Sequence, residues 1–251
     1  VAGASAGLSA RDEQLTELMD DPDCDPVRLR RTLQRFWAVN GAVSRWGRVY
    51  RTHLRPALAR SGGPVRILDV GCGGGDVLRR LVRLARRDGL AVEGIGIDPD
   101  PRACEVASGG ERVDGVSFRQ ARSDELVAEG ERFDAVVSNH LLHHLDAASL
   151  EGVLSDSEAL ASRVCVHSDI ARSRLAYAAF AVGAAPLAPG TFLRVDGLRS
   201  IRRSYTRDEL AARLPRGWVA EQPTAFRLLA VHGATTSGEH FDARPGDGAH
   251  A

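Results

Sequence analysis

No lysine occurs anywhere in this chain; every one of the 33 Lys+Arg residues is arginine. A Walker A phosphate loop needs its lysine, pyridoxal-phosphate enzymes need a lysine amine for the Schiff base, and short-chain dehydrogenases pair lysine with tyrosine. Those three classes are excluded, whether or not a GC-rich genome explains the bias. Charge of either sign is also not in excess, since 33 acidic residues balance the arginines and the pI is near 7.2. The electrostatic footprint of a nucleic-acid binder is therefore missing, and no nucleic-acid partner is expected. The four cysteines, Cys24, Cys72, Cys104 and Cys165, form no Cys-x-x-Cys pair and have no histidine at zinc spacing. No metal site is expected from them, and a reducing, cytoplasmic setting fits. No apolar run reaches the roughly 17 to 25 residues of a membrane helix, and the first residues lack a basic-then-apolar leader pattern. A soluble protein without integral membrane association is expected.

What is present suits one α/β domain with a helical appendage: 251 residues, 43% hydrophobic and 26% charged. Residues 1–10 read as a frayed terminus. Asp25-Pro26 reads as an N-cap followed by proline at the first helical position, with Leu29, Leu33, Phe36 and Trp37 at helical spacing until Asn40-Gly41 stops the helix. A second helix from near Val43 carries Trp46, Val49, Tyr50 and Leu54 on one face and breaks at Ser61-Gly62-Gly63-Pro64. Residues 1–63 thus form an N-terminal helical lid, its aromatics packing a core or lining a pocket.

From Val65 the rhythm changes to short apolar runs separated by helical stretches, the pattern of βα units and a parallel sheet. Strands are expected at 65–70, 91–97, 116–120, 135–138 and 163–167. The first helix, 76–87, should turn Val77, Leu78, Leu81, Val82 and Ala85 to the sheet and its arginines outward. The apolar stretch Leu175–Leu187, interrupted by Gly183 and Pro186, reads as a buried helix or lid within an insertion of about 171–205. Thr206-x-x-Glu209 matches a capping box opening a helix to about Leu214. Trp218–Glu221 and Phe226–Val231, around a turn containing Pro223, read as a closing antiparallel pair, which ends a main domain of 64–232. The remainder, 233–251, has no period and reads as a disordered tail.

The strongest signal is Ile67-Leu68-Asp69-Val70-Gly71-Cys72-Gly73-Gly74-Gly75-Asp76, which puts glycines between a strand and a helix, where a missing Cβ lets a ligand lie against the backbone. A dinucleotide fingerprint would need glycine at position 76, where Asp76 stands. Asp69 and Asp76 would repel a pyrophosphate but not a cationic amino group or sulfonium, so charge favours S-adenosylmethionine over a nicotinamide cofactor. Asp98 ends the second strand at the carboxyl edge of the sheet, placed to accept from both ribose hydroxyls.

In these residues the chain resembles the class I S-adenosylmethionine-dependent methyltransferases, particularly the small-molecule branch that includes the ubiquinone/menaquinone-biosynthesis type. Four blocks carry the resemblance across about residues 65–170: 67–75, Gly94-Ile95-Gly96-Ile97-Asp98, Phe133-Asp134-Ala135-Val136-Val137-Ser138-Asn139, and His140-Leu141-Leu142-His143-His144-Leu145. It implies a Rossmann-like α/β fold with a seven-stranded, mostly parallel sheet, an antiparallel last strand and helices on both faces. It further implies that Asp69, Gly71 and Gly73 surround the methionine part of the donor, with Cys72 beside them. Asp98 and Pro99 would hold the ribose, and Asn139 and His140 line the same cleft. The family aspartate that reads adenine falls on Arg122 here, so Ser123, Asp124 or a backbone contact substitutes.

Methyl transfer requires an aligned acceptor, exclusion of water and, for a hydroxyl acceptor, a proton acceptor. His143 and His144 follow the fourth strand at the cleft edge, and either capping of the cleft or general-base action is open to them. Adjacent helical side chains point about 100° apart, so at most one should face the acceptor, and His144 is favoured. The acceptor is expected to be a small aromatic or polyketide-like hydroxyl compound against the apolar tract 175–180. The clustered Arg194, Arg199, Arg202 and Arg203 either contact an acidic group on it or lie on solvated surface. C- or N-methylation with the same cofactor blocks, a nicotinamide-dependent oxidoreductase and a non-catalytic cofactor-binding protein are the alternatives.

Overall fold

The computed structural model describes residues 8–39 and 45–233, and for 36–39 the backbone alone. The expectations for residues 1–7, the side chains of Phe36 and Trp37, the stop at Asn40-Gly41, the helix start near Val43 and the tail after Gly233 lie outside the described residues. Leu8 to Ala10, expected to be frayed, are tied down in part by Arg172, whose Nε donates to the carbonyl of Leu8 at 3.2 Å.

Seven strands make one sheet: β1 (Val65–Val70), β2 (Val92–Asp98), β3 (Val116–Gln120), β4 (Phe133–Asn139), β5 (Ala161–Ile170), β6 (Trp218–Thr224) and β7 (Arg227–His232). Their order is β3-β2-β1-β4-β5-β7-β6, the first five parallel and β7 antiparallel to both neighbours, which is the Rossmann-like α/β fold the blocks imply. Strand order reverses its direction of travel across the sheet between β1 and β4, so a crevice opens at their carboxyl ends, where open α/β sheets bind ligands.

Alternation along the strands sets two cores. Val65 and Ile67 of β1, Ala135 and Val137 of β4 and Val164 and Val166 of β5 pack one face, against Trp46–Leu58 and α4 (Asp76–Arg87). Leu68 and Val70, Val136 and Cys165 pack the other, against α6 (Ser123–Ala128), α7 (Ala147–Leu160) and α10 (Arg207–Ala211). Asp69 shares the face of Val65 and Ile67 and so comes to lie over the N-terminus of α4. Trp46 and Tyr50 are buried in the first core, on α2 (Trp46–Val49), the π turn Tyr50–Leu54 and α3 (Arg55–Leu58), which run on from one another.

Three expectations need correction. The arginines of α4 do not all point outward: Arg79 is buried, its guanidinium donating to the carbonyls of Gly74, Glu111 and Ala107. A planar fork that satisfies three carbonyls makes the buried site tolerable for a cation. Pro223 lies within β6, not in the turn, because β6 is the edge strand, and its register shifts between Glu221 and Thr224. The tract 175–187 is not buried: α8 (Arg174–Gly183) leaves Leu175 60% and Val182 77% exposed while its other side covers the crevice. Asp25 caps α1 (Pro26–Val39) through the amides of Val27 and Arg28, and Thr206 and Glu209 form the expected capping box, although α10 ends at Ala211. α5 (Pro101–Ser108) follows β2, and α9 (Leu193–Arg203) follows α8.

Candidate active site

A cavity of about 940 Å³ fills the crevice, and Asp69, Gly71, Cys72, Gly73, Asp98, Pro99, Asn139 and His140 all line it. The turn after β1 is fixed by the amides of Gly71 and Cys72, both donating to the carbonyl of Ile97 at 2.8 and 3.0 Å. Gly73 has φ +51° and gives its amide to Asp98 Oδ2 at 3.0 Å, while Asp98 Oδ1 takes the amide of Asp100 at 2.9 Å. Burial holds the Asp98 carboxyl above its ordinary range against those two bonds. Gly75 serves packing and not a ligand, since a Cβ at that position would meet the Phe118 ring at 2.4 Å.

Asp69 is 1% exposed and neither of its oxygens has a hydrogen-bond partner among the described residues. Burial, with Asp76 and Asp98 adding, pushes its carboxyl well above the usual range. An orphaned acid lining a cavity is the complement of a cationic group on a ligand. Ser123 does not join them. It lies outside the cavity at the start of α6, buried, and donates to Asp156 Oδ2 at 2.6 Å, because the cap of α6 faces α7. His140 sits at φ +60° with its amide on the carbonyl of Ser168, and burial lowers its ring to about 4, leaving it neutral. Asn139 takes the indole N–H of Trp46 at 3.0 Å.

The histidine pair occupies a 3-10 turn, Leu142–His144, and both rings line the cavity with centroids 4.3 Å apart, not diverging as helical neighbours would. Their shared partner explains the convergence. Glu17, from the segment before α1, lies 3.2 Å from His143 Nε2 and 3.7 Å from His144 Nε2. His143 Nδ1 is 2.6 Å from Asp169 at the end of β5, and His144 Nδ1 is 3.2 Å from Asp20. Burial opposes charge on His143, but Asp169 and Glu17 outweigh it and push the ring up to about 10. Burial likewise opposes charge on Glu17, but the two histidines outweigh it and bring the carboxyl down to about 2. His143 is therefore held as a buried imidazolium with both ring nitrogens committed to carboxylates. His144 keeps 27% of its side chain exposed and has a single close partner at Nδ1. The ligand-type atoms of Glu17, His143 and His144 also lie within 4.8 Å of one another, a constellation that the cysteine count gave no hint of.

Beyond the histidines the cavity is apolar, with Leu29 and Leu33 of α1, Phe180 of α8, Leu193 and Ile201 of α9, and Phe226. The four clustered arginines are engaged within the protein itself. Arg194 donates to the carbonyl of Ala181, Arg199 to that of Thr16, Arg202 pairs with Asp12, and Arg203 donates to the carbonyls of His143 and His144. Three of them hold backbone in place. Sequence reasoning missed Glu17, Asp20, Asp196 and Ser200, for which no local signal exists. It also missed Asp169, which its place at a strand's carboxyl end would have marked.

Residues 67–162 match the family model described as a methyltransferase domain. A ubiquinone biosynthesis O-methyltransferase of Azorhizobium caulinodans is 37% identical over 86 residues, 32% of this chain and 30% of that protein. One from Methylobacterium sp. is 30% identical over 139 residues, 49% of this chain and 53% of that protein. The chain thus spans between about a third and about half the length of these relatives. Among solved structures, the CurJ carbon methyltransferase aligns with TM-score 0.59 at 17% identity, covering 84% of this chain and 61% of that one. The plantazolicin methyltransferase BpumL, in complex with a triazolic desmethylPZN analog and SAH, aligns with TM-score 0.56 at 13% identity, covering 82% and 95%. At those identities the likeness shows the fold.

Proposed function

The chain carries a class I S-adenosylmethionine-dependent methyltransferase domain, and on that premise we propose that it transfers the methyl group to a hydroxyl of a small, apolar, aromatic or polyketide-like acceptor. Bound S-adenosylmethionine supplies a methyl carbon already activated by its sulfonium. Asp69 would hold the cationic part of that donor, Asp98 the ribose hydroxyls, and Gly71 to Gly73 the close approach along the backbone. The apolar chamber excludes water and seats the acceptor.

The observation that carries the reading is His144: a ring that lines the same cavity as the glycine turn and the apolar side chains, with Nδ1 held by Asp20. With Nδ1–H directed at Asp20, Nε2 would be free to take up the proton of the acceptor hydroxyl, with Glu17 near enough to balance the charge it gains. Glu17 then faces a cation on either histidine. His143 positions, and does not exchange a proton.

Incubation with methyl-labelled donor and a panel of phenols and catechols, read by mass spectrometry, should place the label on oxygen. Label on carbon or nitrogen would move the reading to another acceptor class. Binding of S-adenosylhomocysteine without turnover against any acceptor would leave only a cofactor-binding protein.

A further inference from the structure

The segment before α1 has little structure of its own: among its described residues, a 3-10 turn at Leu18–Asp20 is followed by bends up to Asp25. Yet it supplies two of the three carboxylates that meet the histidine pair, Glu17 and Asp20, and something has to fix them. That something is one face of α9. Asp196, Ser200 and Arg203 recur at helical spacing, so they project on one side. Asp196 Oδ1 takes the amide of Leu18 at 2.8 Å and its Oδ2 takes the amide of Met19 at 3.0 Å. One turn on, Ser200 Oγ donates to Glu17 Oε1 at 2.5 Å. A further turn on, Arg203 donates to the carbonyls of His143 and His144. The same helical face thus grips the carboxylate segment at one end and the histidine turn at the other.

We infer that Asp196 is a positioning residue of the active site, acting through the main-chain amides of Leu18 and Met19 to set Glu17 and Asp20 against His143 and His144. Asp196 is 2% exposed, and both its oxygens are spent on those two amides. It touches neither histidine nor the glycine turn where the donor fits. Glu17 immediately precedes the clamped amides and Asp20 immediately follows them, so a shift of this turn moves both carboxylates together. His143 would then keep Asp169 alone, and His144 would lose Asp20 at Nδ1 and Glu17 beyond Nε2. Burial of the carboxyl, with Glu17 adding, raises Asp196 to about 6 although both amides and Arg199 act against it. A carboxylate is kept there at a cost in solvation, which a purely space-filling role would not call for.

The inference rests on the proposed methyl transfer only for what the histidines do; its test reads the resting protein. The full chain and its Asp196→Asn and Asp196→Ala variants are titrated by histidine-detected proton–nitrogen NMR, with S-adenosylhomocysteine affinity measured alongside. In the unaltered chain His143 stays imidazolium through neutral pH. In Asp196→Ala its apparent pKa falls by at least one unit, and Asp196→Asn, which offers one acceptor for two amides, falls between. Affinity for S-adenosylhomocysteine stays within about threefold, because the glycine turn and Asp98 are untouched. Ser200→Ala, which removes one bond to Glu17 and leaves the clamp, shifts His143 in the same direction by less, and it decides the matter if the Asp196 variants do not fold. A folded Asp196→Ala protein in which His143 titrates as before overturns the inference, as does an unshifted Ser200→Ala when that variant decides. Failure to methylate any acceptor, with the histidine shifts as described, counts against the proposed function and leaves the positioning role standing.

Discussion

The two halves of the cavity are built by opposite means. The half proposed for the donor comes from residues 69 to 140, in which backbone turns at the ends of neighbouring strands do most of the holding. The half proposed for the acceptor comes from residues 17 to 33, 143 to 144 and 170 to 226, joined by side chains that reach across more than a hundred positions, as Ser200 does to Glu17 and His143 does to Glu17. A fold that fixes strand ends fixes the first half almost automatically, whereas the second depends on individual long-range bonds. Substitutions should therefore separate the two: one half governs whether the donor binds, the other whether it reacts.

The sharpest break between them is His144→Ala, expected to lower kcat by roughly 10²- to 10⁴-fold while S-adenosylhomocysteine affinity by calorimetry stays within about threefold. Gly73→Val should do the reverse. A β-branched residue at φ +51° is strained and its Cβ heads into the cavity towards Leu33, so affinity for S-adenosylhomocysteine should drop by about 100-fold, roughly 2.7 kcal/mol. A third separation is by pH. His143 has a folded-state pKa of about 10 against about 6.5 unfolded, so the folded chain retains a proton that the unfolded chain releases. The stability this contributes is complete below about pH 6.5 and is lost as pH rises through about 10, a fall on the order of a few kcal/mol. Urea unfolding across that window should show it, and Glu17→Gln should reduce it without abolishing it, since Asp169 remains, while Asp98→Asn leaves it in place. The smallest effect is Arg194→Ala: its guanidinium turns to the carbonyl of Ala181, so turnover of acidic and neutral phenols should change by no more than about twofold.

What could be read from the chain follows the same division. β1 and α4 occupy the residues expected of them, Val65–Val70 and Asp76–Arg87, because apolar period and glycine punctuation are local. β5 runs on to Ile170, past the expected end at His167, since Ser168 and Asp169 are polar residues buried by Arg227 and by His143, partners the local pattern does not contain. Arg79 departs from expectation for the same reason: charge in a helix reads as solvent-facing until three carbonyls are found for it. Glu17 and Asp20 sit among other acids in a stretch without period, and nothing near them announces a histidine 126 positions away. The aspartate sought for adenine shows the limit from the other side, since choosing a substitute at Ser123 from its neighbourhood leads to a residue that ties one helix to another.

Leu193, Gly197 and Ile201 face the acceptor chamber from α9, the helix whose Asp196, Ser200 and Arg203 govern the carboxylate–imidazole geometry. Selectivity and turnover consequently share a single rigid rod. Redesigning the chamber from α9 should trade catalytic power for each new acceptor, whereas Ala176 and Ala179 on α8 line the same wall from a helix that makes none of those contacts. Directed evolution for altered acceptors should begin on α8.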